Sequence, residues 1–511
     1  MTLIRALGRV FADPLYRYFM RPIKHSMKTQ EKVLFKIIKR NQNTRFGNKH
    51  KFRQITSIKQ FQENVTPHSY EYFRPYIDSM TKGEANVLVC GNPSYWGKTA
   101  GSTGAAKLIP ITSQSIRNAT NGILRIYLSY LAENPRQHSQ FLDGTVCFFH
   151  ANPILEYINN IPVGFGTGIF SQSTKNQLWS PIFQGSMYST AHLFKIKDID
   201  KRYRQLTREL TGKNITVFAG VTTFVLSLLE IVLKYTQRAN PNLKYVKEMF
   251  PNCQLAILGG ESPKFYEDRL FSLIGNELDY REVYGATEEV LAVQLQAEPG
   301  LTPLFDANFL EFCEENSEER LLFHEIKKNV NYKIIITNFN GLYAYILGDV
   351  VKFTSTDPPR LLFSHREGTI NMASEKLTVQ QIADALMLTN QEQHCAVAEY
   401  CVIGKYTPKP HYIFILEYLP QQLPPDEKKY LNALNQNLMS INPVYRSQLQ
   451  VVPAMMDPKL MIVKSGTFSA LEQLNLQEGV PMGQHKIQHL SLNTDLLKKF
   501  ADSIVKEIHL D

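Results

Sequence analysis

Short apolar runs alternating with stretches of helical periodicity constrain this chain more than any other feature. Strand-like runs fall at 144–150, 215–218, 254–258 and 333–337, with helical stretches such as 223–235 and 265–274 between them. Such alternation predicts an α/β fold of layered sheets and helices with substantial parallel pairing, because a strand that returns parallel needs a crossover long enough for a helix. Ligands gather at the C-terminal ends of strands in sheets of this kind. Gly259-Gly260-Glu261 stands where the 254–258 run gives out.

At 511 residues, 43% of them hydrophobic, the chain can pack more than one core. A break is expected near 366–371. After it come a short helix (378–388), strands at 399–403 and 411–419, and a helix at 426–439, which together read as a small α+β unit. The expected division is a large N-terminal domain over 1–366, opening with a basic helical segment at 1–53, and a C-terminal domain over 367–511. Further helices are expected at 29–38 and 113–131. The Glu-rich stretch 311–319 reads most simply as a solvated turn.

Charge is distributed unevenly. The net charge is +9, yet residues 1–53 hold fourteen Lys/Arg against Asp13 and Glu31, a net of +12, which leaves the rest at −3. Arg5, Arg9, Arg17 and Arg21 recur at multiples of four, while Leu3, Ile4, Leu7, Val10 and Phe11 supply an apolar side. The simpler reading is a solvated face of helices packed on the main domain, with Pro14 ending the first helix. Peripheral contact with anionic lipid is the alternative. Nucleic acid is not an expected partner, since no nucleic-acid module accompanies the charge.

Six cysteines lie scattered with no metal-ligand spacing, so a reducing compartment and no structural zinc are expected. The longest uncharged apolar stretch, 215–229, ends at Glu230 and is too short for a bilayer. It reads as a buried strand followed by a helix. Arg5, Arg9 and Asp13 interrupt what a signal peptide would keep apolar, so a cytoplasmic protein is expected, as a monomer.

Three segments carry the chemistry. Thr99-Ala-Gly-Ser-Thr-Gly-Ala-Ala-Lys107 packs two glycines, three hydroxyls and a lysine into nine residues, a composition that lets backbone N–H groups approach polyphosphate oxygens. Its blander reading is a solvated loop, and it lacks P-loop spacing. Tyr284-Gly-Ala-Thr-Glu288 offers an aromatic to stack a base, a hydroxyl for a phosphate and a carboxylate for Mg²⁺. A turn entering a helix is its blander reading. Tyr345-Ile-Leu-Gly-Asp349 ends in a carboxylate suited to a ribose diol, or in an ordinary strand-end turn.

In this order, and followed by Arg366, the three segments resemble the superfamily of acyl-CoA synthetases, peptide-synthetase adenylation domains and luciferases. The flanking text narrows the resemblance. Lys107-Leu-Ile-Pro110, Leu258-Gly-Gly-Glu-Ser262, Gly341-Leu-Tyr-Ala-Tyr345, Lys464-Ser-Gly-Thr-Phe468 and Gly483-Gln-His-Lys486 resemble the auxin-responsive Gretchen Hagen acyl acid amido synthetases, especially their bacterial members. The likeness spans roughly 44–489. Three departures stand out: the phosphate loop reads Ala-Gly-Ser-Thr-Gly, Ala344 replaces a common arginine, and Ile487-Gln488 replaces a common Pro-Arg.

The resemblance implies a large adenylating domain with a small mobile lid, and ATP and Mg²⁺ as cofactors. It implies a small carboxylic acid and an amino acid as substrates, joined as an amide through an acyl adenylate. It assigns Gly101, Ser102, Thr103, Gly104 and Lys107 to the β/γ-phosphates, Thr287 to the α-phosphate and Glu288 to Mg²⁺. Tyr284 would stack on adenine beside Gly259, Gly260 and Gly285, and Asp349 would accept from the ribose. Arg366 would orient nucleotide or serve the hinge. Lys486 would reach the substrate carboxylate and α-phosphate. The aromatic stretch 165–179 and the 113–131 helix are candidates for the acyl pocket. Thioester formation with coenzyme A, or a silent nucleotide-binding protein acting through interaction, stay open as alternatives.

Overall fold

The computed structural model describes every residue except 1–2, 99–106, 150–152, 175–186, 197, 261, 265, 316, 367–371, 373–376, 408, 451–454, 478–488 and 511. By internal contacts the chain divides into two units, Met1–Pro263 with Phe271–Ser364, and Lys264–Leu270 with His365–Asp511.

The first unit is entered through helices α1 (Leu3–Lys24) and α2 (Ser26–Asn41). Its strands are β1 (Tyr95–Lys98), β2 (Leu108–Ile111), β3 (Thr145–Phe149), β4 (Glu156–Ile158), β5 (Ile161–Phe165), β6 (Met187–Ser189), β7 (Ile215–Val221) and β8 (Leu255–Gly259). They continue with β9 (Asp279–Ala286), β10 (Glu289–Val293), β11 (Thr302–Pro303), β12 (Phe309–Glu314), β13 (Asn331–Thr337), β14 (Tyr345–Thr356) and β15 (Pro359–Arg366). They form a four-stranded sheet β2-β1-β5-β4, a seven-stranded sheet β11-β10-β9-β8-β7-β3-β6 and a second four-stranded sheet β12-β13-β14-β15.

The central sheet is parallel from β6 through β9. Every side chain from Ile215 to Ala219 is buried, as is usual for a strand covered on both faces. The chain turns directly from Val221 into the Thr222–Gln237 helix, so the long apolar stretch is a strand followed by a helix. The run at 333–337 belongs elsewhere: it lies within β13, paired antiparallel to β12 and β14.

Two local expectations fail for reasons of packing. The first helix runs on through Pro14 and Pro22. Proline removes a helical hydrogen bond, but Ala12, Phe19 and Ile23 are buried among side chains of the Ser113–Glu133 helix, and that tertiary contact outweighs the break. The stretch expected as a solvated turn begins inside β12, where Glu311 is fully buried. Arg320 answers its charge with a two-pronged contact, Nε to Oε1 at 3.0 Å and a terminal nitrogen to Oε2 at 2.6 Å.

The second unit holds β16 (Val397–Lys405), β17 (His411–Tyr418), β18 (Lys459–Val463), β19 (Leu490–Ser491) and β20 (Ile504–His509) in the order β19-β16-β17-β18-β20. The Val379–Glu392 helix starts at a Thr378/Gln381 capping box, and Asp426 caps the Glu427–Ile441 helix by accepting from Lys428 and Lys429 N–H.

Candidate active site

Tyr284-Gly-Ala-Thr-Glu288 is the end of β9 and a two-residue hairpin into β10, with Ala286 facing Glu289 across the pair. It is no helix entrance. The hairpin puts Thr287 and Glu288 at the end of the parallel β8–β9 pair, the side from which α/β sheets present ligand groups. Glu288 is only 3% exposed, and its Oε1 accepts from the Tyr345 hydroxyl at 3.0 Å.

The third segment is shaped by a bulge. Lys333 faces Val350 while Ile335 faces Ile346, so β14 carries extra residues around Gly348. Gly348 sits at φ +83°, a conformation that glycine adopts without the Cβ clash other residues meet. The bulge buries Asp349 and Val350 consecutively, and Asp349 Oδ2 accepts from the Tyr284 hydroxyl at 2.8 Å. The two segments therefore interlock reciprocally, the tyrosine of each holding the carboxylate of the other.

Behind the hairpin lies a buried amide network. Asn338 and Asn340 side chains donate to the Glu288 carbonyl at 3.0 and 2.9 Å. Asn340 also donates to Ser115 Oγ and accepts from Thr112 N–H. Thr112 caps the Ser113–Glu133 helix, so the same residues that start this helix fix the carboxylate-bearing turn. Neither asparagine was expected as a site residue. The Asn340-Gly341 pair is nevertheless a turn signal in the text. Ala344, at φ +47° and buried, donates its N–H to Thr337 Oγ1 and gives its carbonyl to His68 N–H. Such a backbone costs roughly 1–2 kcal/mol in a residue with a Cβ, and these bonds hold it.

The flanks of the first segment reach the same place. A Cβ on Gly97 in β1 would lie 2.6 Å from Thr287 Cγ2, so the strand leading into residues 99–106 presses on the Thr-Glu turn. Gly101, Ser102, Thr103 and Gly104 lie outside the described residues, as does Lys486. Lys107 is half-buried with Nζ 5.3 Å from the Tyr70 ring centre. Gly259 ends β8 opposite Val283, Gly260 follows it, and Gly285 faces Val290. The Tyr284 ring is buried, 5.7 Å from that of Phe363. Arg366 closes β15, and its side chain lies outside the described residues.

Two acids that the sequence did not single out flank the hairpin. Burial pushes Glu289 up to about 8, against the opposing hydrogen bonds from Ser115 and Val290 N–H, and its Oε2 has no hydrogen-bond partner. Burial likewise lifts Glu282 to about 7, with Ser262 Oγ donating to it at 3.5 Å. Burial thus favours the protonated form of Glu289, directly beside the carboxylate-bearing position. Among the described residues no group of three or more His, Cys, Asp or Glu could hold a metal.

In the second unit, Lys464-Ser-Gly-Thr-Phe468 serves the fold. Glu417 accepts from Gly466 and Phe468 N–H at 2.7 and 3.0 Å, a carboxylate at the start of the Thr467–Gln477 helix.

The chain matches the GH3 family N-terminal domain over residues 16–239, the central domain over 301–366 and the C-terminal domain over 380–495. It is 21% identical to the "Probable indole-3-acetic acid-amido synthetase GH3.11" of Oryza sativa subsp. japonica, with 94% of each chain covered. Its fold is similar to that of the AtGH3.15 acyl acid amido synthetase, solved in complex with 2,4-DB, with a TM-score of 0.80 at 16% identity over 98% of this chain and 97% of that one. A 2-hydroxyisobutyryl-CoA ligase in its postadenylation state is similar at a TM-score of 0.59 and 10% identity, covering 92% and 90%.

Proposed function

Because the chain belongs to the GH3 family, we propose that it is a ligase, an ATP-dependent acyl acid amido synthetase that joins a small carboxylic acid to an amino acid. The observation that carries this reading is the reciprocal clasp, Tyr284 on Asp349 and Tyr345 on Glu288, which unites two distant segments in one acidic, hydroxyl-rich corner.

A carboxylate resists attack because its charge repels nucleophiles and oxide is a hopeless leaving group. One of its oxygens attacks the α-phosphorus of ATP, the bond to pyrophosphate breaks, and an acyl adenylate forms. An amine then attacks the carbonyl, AMP leaves with the bonding pair, and the nitrogen loses a proton to give the amide. Negative oxygens crowd the first step, so fixed donors dominate the barrier reduction.

Gly101, Ser102, Thr103, Gly104 and Lys107 hold the β/γ-phosphates, and Thr287 the α-phosphate. Glu288 would hold Mg²⁺ through a hard carboxylate oxygen, the group Tyr345 braces. Mg²⁺ bound there supplies positive charge against the phosphate oxygens. Asp349, oriented by Tyr284, accepts from the ribose. The Tyr284 ring faces adenine, with Gly259, Gly260 and Gly285 nearby. Arg366 orients the nucleotide or serves a hinge, and Lys486 reaches the substrate carboxylate and α-phosphate. The first unit adenylates, the second acts as its lid, and the enzyme works as a cytoplasmic monomer.

The test is purified protein with ATP, Mg²⁺ and a panel of aryl, indole and aliphatic carboxylic acids, scored for pyrophosphate and then for AMP release on adding amino acids. Acid-dependent pyrophosphate and amino-acid-dependent AMP are expected. AMP release that answers to coenzyme A instead identifies a thioester ligase. Nucleotide binding with no pyrophosphate from any acid identifies a silent interaction protein.

A further inference from the structure

Eleven large apolar side chains are strongly exposed among the described residues, and three of them, Val10 (69%), Phe11 (50%) and Tyr18 (60%), lie within nine positions on α1. The other eight are scattered from Tyr157 to Val505. Pro14 is exposed between them, and Arg17, Arg21 and Lys24 are exposed beside them. Positions 10, 14, 17–18 and 21 recur every three or four residues and so share one helix face. The opposite face is spent on the fold, through Ala12, Phe19 and Ile23.

The arginine stripe seen in the sequence splits in the folded protein. Arg5 binds Ser139 and Asp143, and Arg9 binds Ser139 and the Arg136 carbonyl, so both pin α1 to the first unit. Arg17 and Arg21 face outward, Arg17 with Asp13 at 2.8 Å and Arg21 with its guanidinium 5.7 Å from the Tyr18 ring centre. The helix runs almost unbroken into α2, with His25 N–H bonded to the Arg21 carbonyl and Thr29 N–H to that of His25. There Lys28, Lys32, Lys39 and Arg40 are exposed, with Glu31 among them, while Val33, Leu34, Ile37 and Ile38 face inward.

We propose that the outer face of α1, continued by the lysines of α2, docks on an anionic bilayer surface, with Val10, Phe11 and Tyr18 entering the headgroup boundary and Arg17, Arg21 and Lys24 meeting lipid phosphates. Apolar and cationic side chains interleaved on one surface helix are the composition such a boundary selects. Charge complementarity sets the direction: residues 1–53 carry +12 and the remainder −3, so a negative surface attracts this end of the protein and repels the rest. Aliphatic Val10 and Pro14 at the centre of the face favour lipid over nucleic acid, which offers no comparable apolar phase.

Full-length protein is sedimented with vesicles of phosphatidylcholine alone and of phosphatidylcholine with phosphatidylglycerol. Co-sedimentation is expected with the anionic vesicles only, and most of it is lost at about 0.5 M salt, where screening confines charge interactions to a few ångströms. Arg17→Ser and Arg21→Ser each lower the partition coefficient by about fivefold. The triple variant V10S/F11S/Y18S loses binding while its thermal unfolding and nucleotide binding match the parent, as exposed positions allow. Equal binding to both vesicle types, no binding to either, or unchanged binding by the triple variant overturns the proposal. So does self-association or RNA binding that these substitutions abolish while vesicles fail to bind.

Discussion

In the first unit, the mainly parallel seven-stranded sheet and the antiparallel β12–β13–β14 ladder each deliver one carboxylate to the candidate site, by opposite means. The parallel β8–β9 pair delivers Glu288 at a strand end, where β9 stops and a two-residue hairpin begins. The antiparallel sheet delivers Asp349 from mid-strand, by a bulge that turns one residue out of the regular alternation. A strand end is free to be shaped by neighbours, and here two asparagines shape it. A mid-strand residue is held by its ladder and needs a local defect to change its aim.

Substitutions can break this comparison. The largest stability effect is expected on the antiparallel side: Arg320→Ala strands the buried Glu311 charge in β12 and costs about 3–5 kcal/mol, read as a lowered denaturant midpoint. A loss under 1 kcal/mol would mean that solvent reaches Glu311 after all. At the hairpin, Glu288→Gln is expected to leave folding intact and lower the adenylation rate about a hundredfold, near 3 kcal/mol of transition-state stabilisation. Pyrophosphate release at saturating Mg²⁺ measures it, and a parental rate removes Glu288 from the metal role.

Tyr345→Phe removes a hydroxyl given by one sheet to the carboxylate of the other. About a tenfold loss in kcat/KM for ATP is expected, the value of one hydrogen bond to a charged group, with a rise in the Mg²⁺ concentration needed for half activity. If only thermal stability changes, the clasp is structural. A fourth effect is tied to pH. Glu289 binds its proton more tightly when folded, about 8 against 4.5 for the ordinary value, so its contribution is complete below 4.5 and declines as pH rises through about 8. Glu289→Gln should therefore be nearly silent at pH 4 and relatively stabilising at pH 9. Parallel stability curves for the two proteins across that range would show that Glu289 does not titrate late.

Much of the architecture was legible because it rests on local periodicity. The strand from Ile215 and the helix after it, and the helices beginning at 378 and 426, all follow from neighbours in sequence. The site was legible in part. Tyr284, Glu288 and Asp349 stand in recognisable segments, yet nothing local says that the hydroxyl of Tyr284 belongs to Asp349, 65 positions away. Asn338 and Asn340 were hidden because their partners, the Glu288 carbonyl, Ser115 and Thr112, come from other elements. Glu311 and Pro14 misled for a related reason: charge and ring chemistry predict exposure and a helix break, and distant partners reversed both.

The sequence by itself determined the α/β layering, the family and the segments that carry the chemistry, because periodicity and short motifs are properties of adjacent residues. Tertiary structure alone decided that two tyrosines exchange carboxylates, that burial tightens Glu289's hold on its proton, and that Arg5 and Arg9 turn inward while Arg17 and Arg21 face out. Burial and long-range hydrogen bonding set those outcomes, and both depend on what the fold brings alongside a residue rather than on what precedes it in the chain.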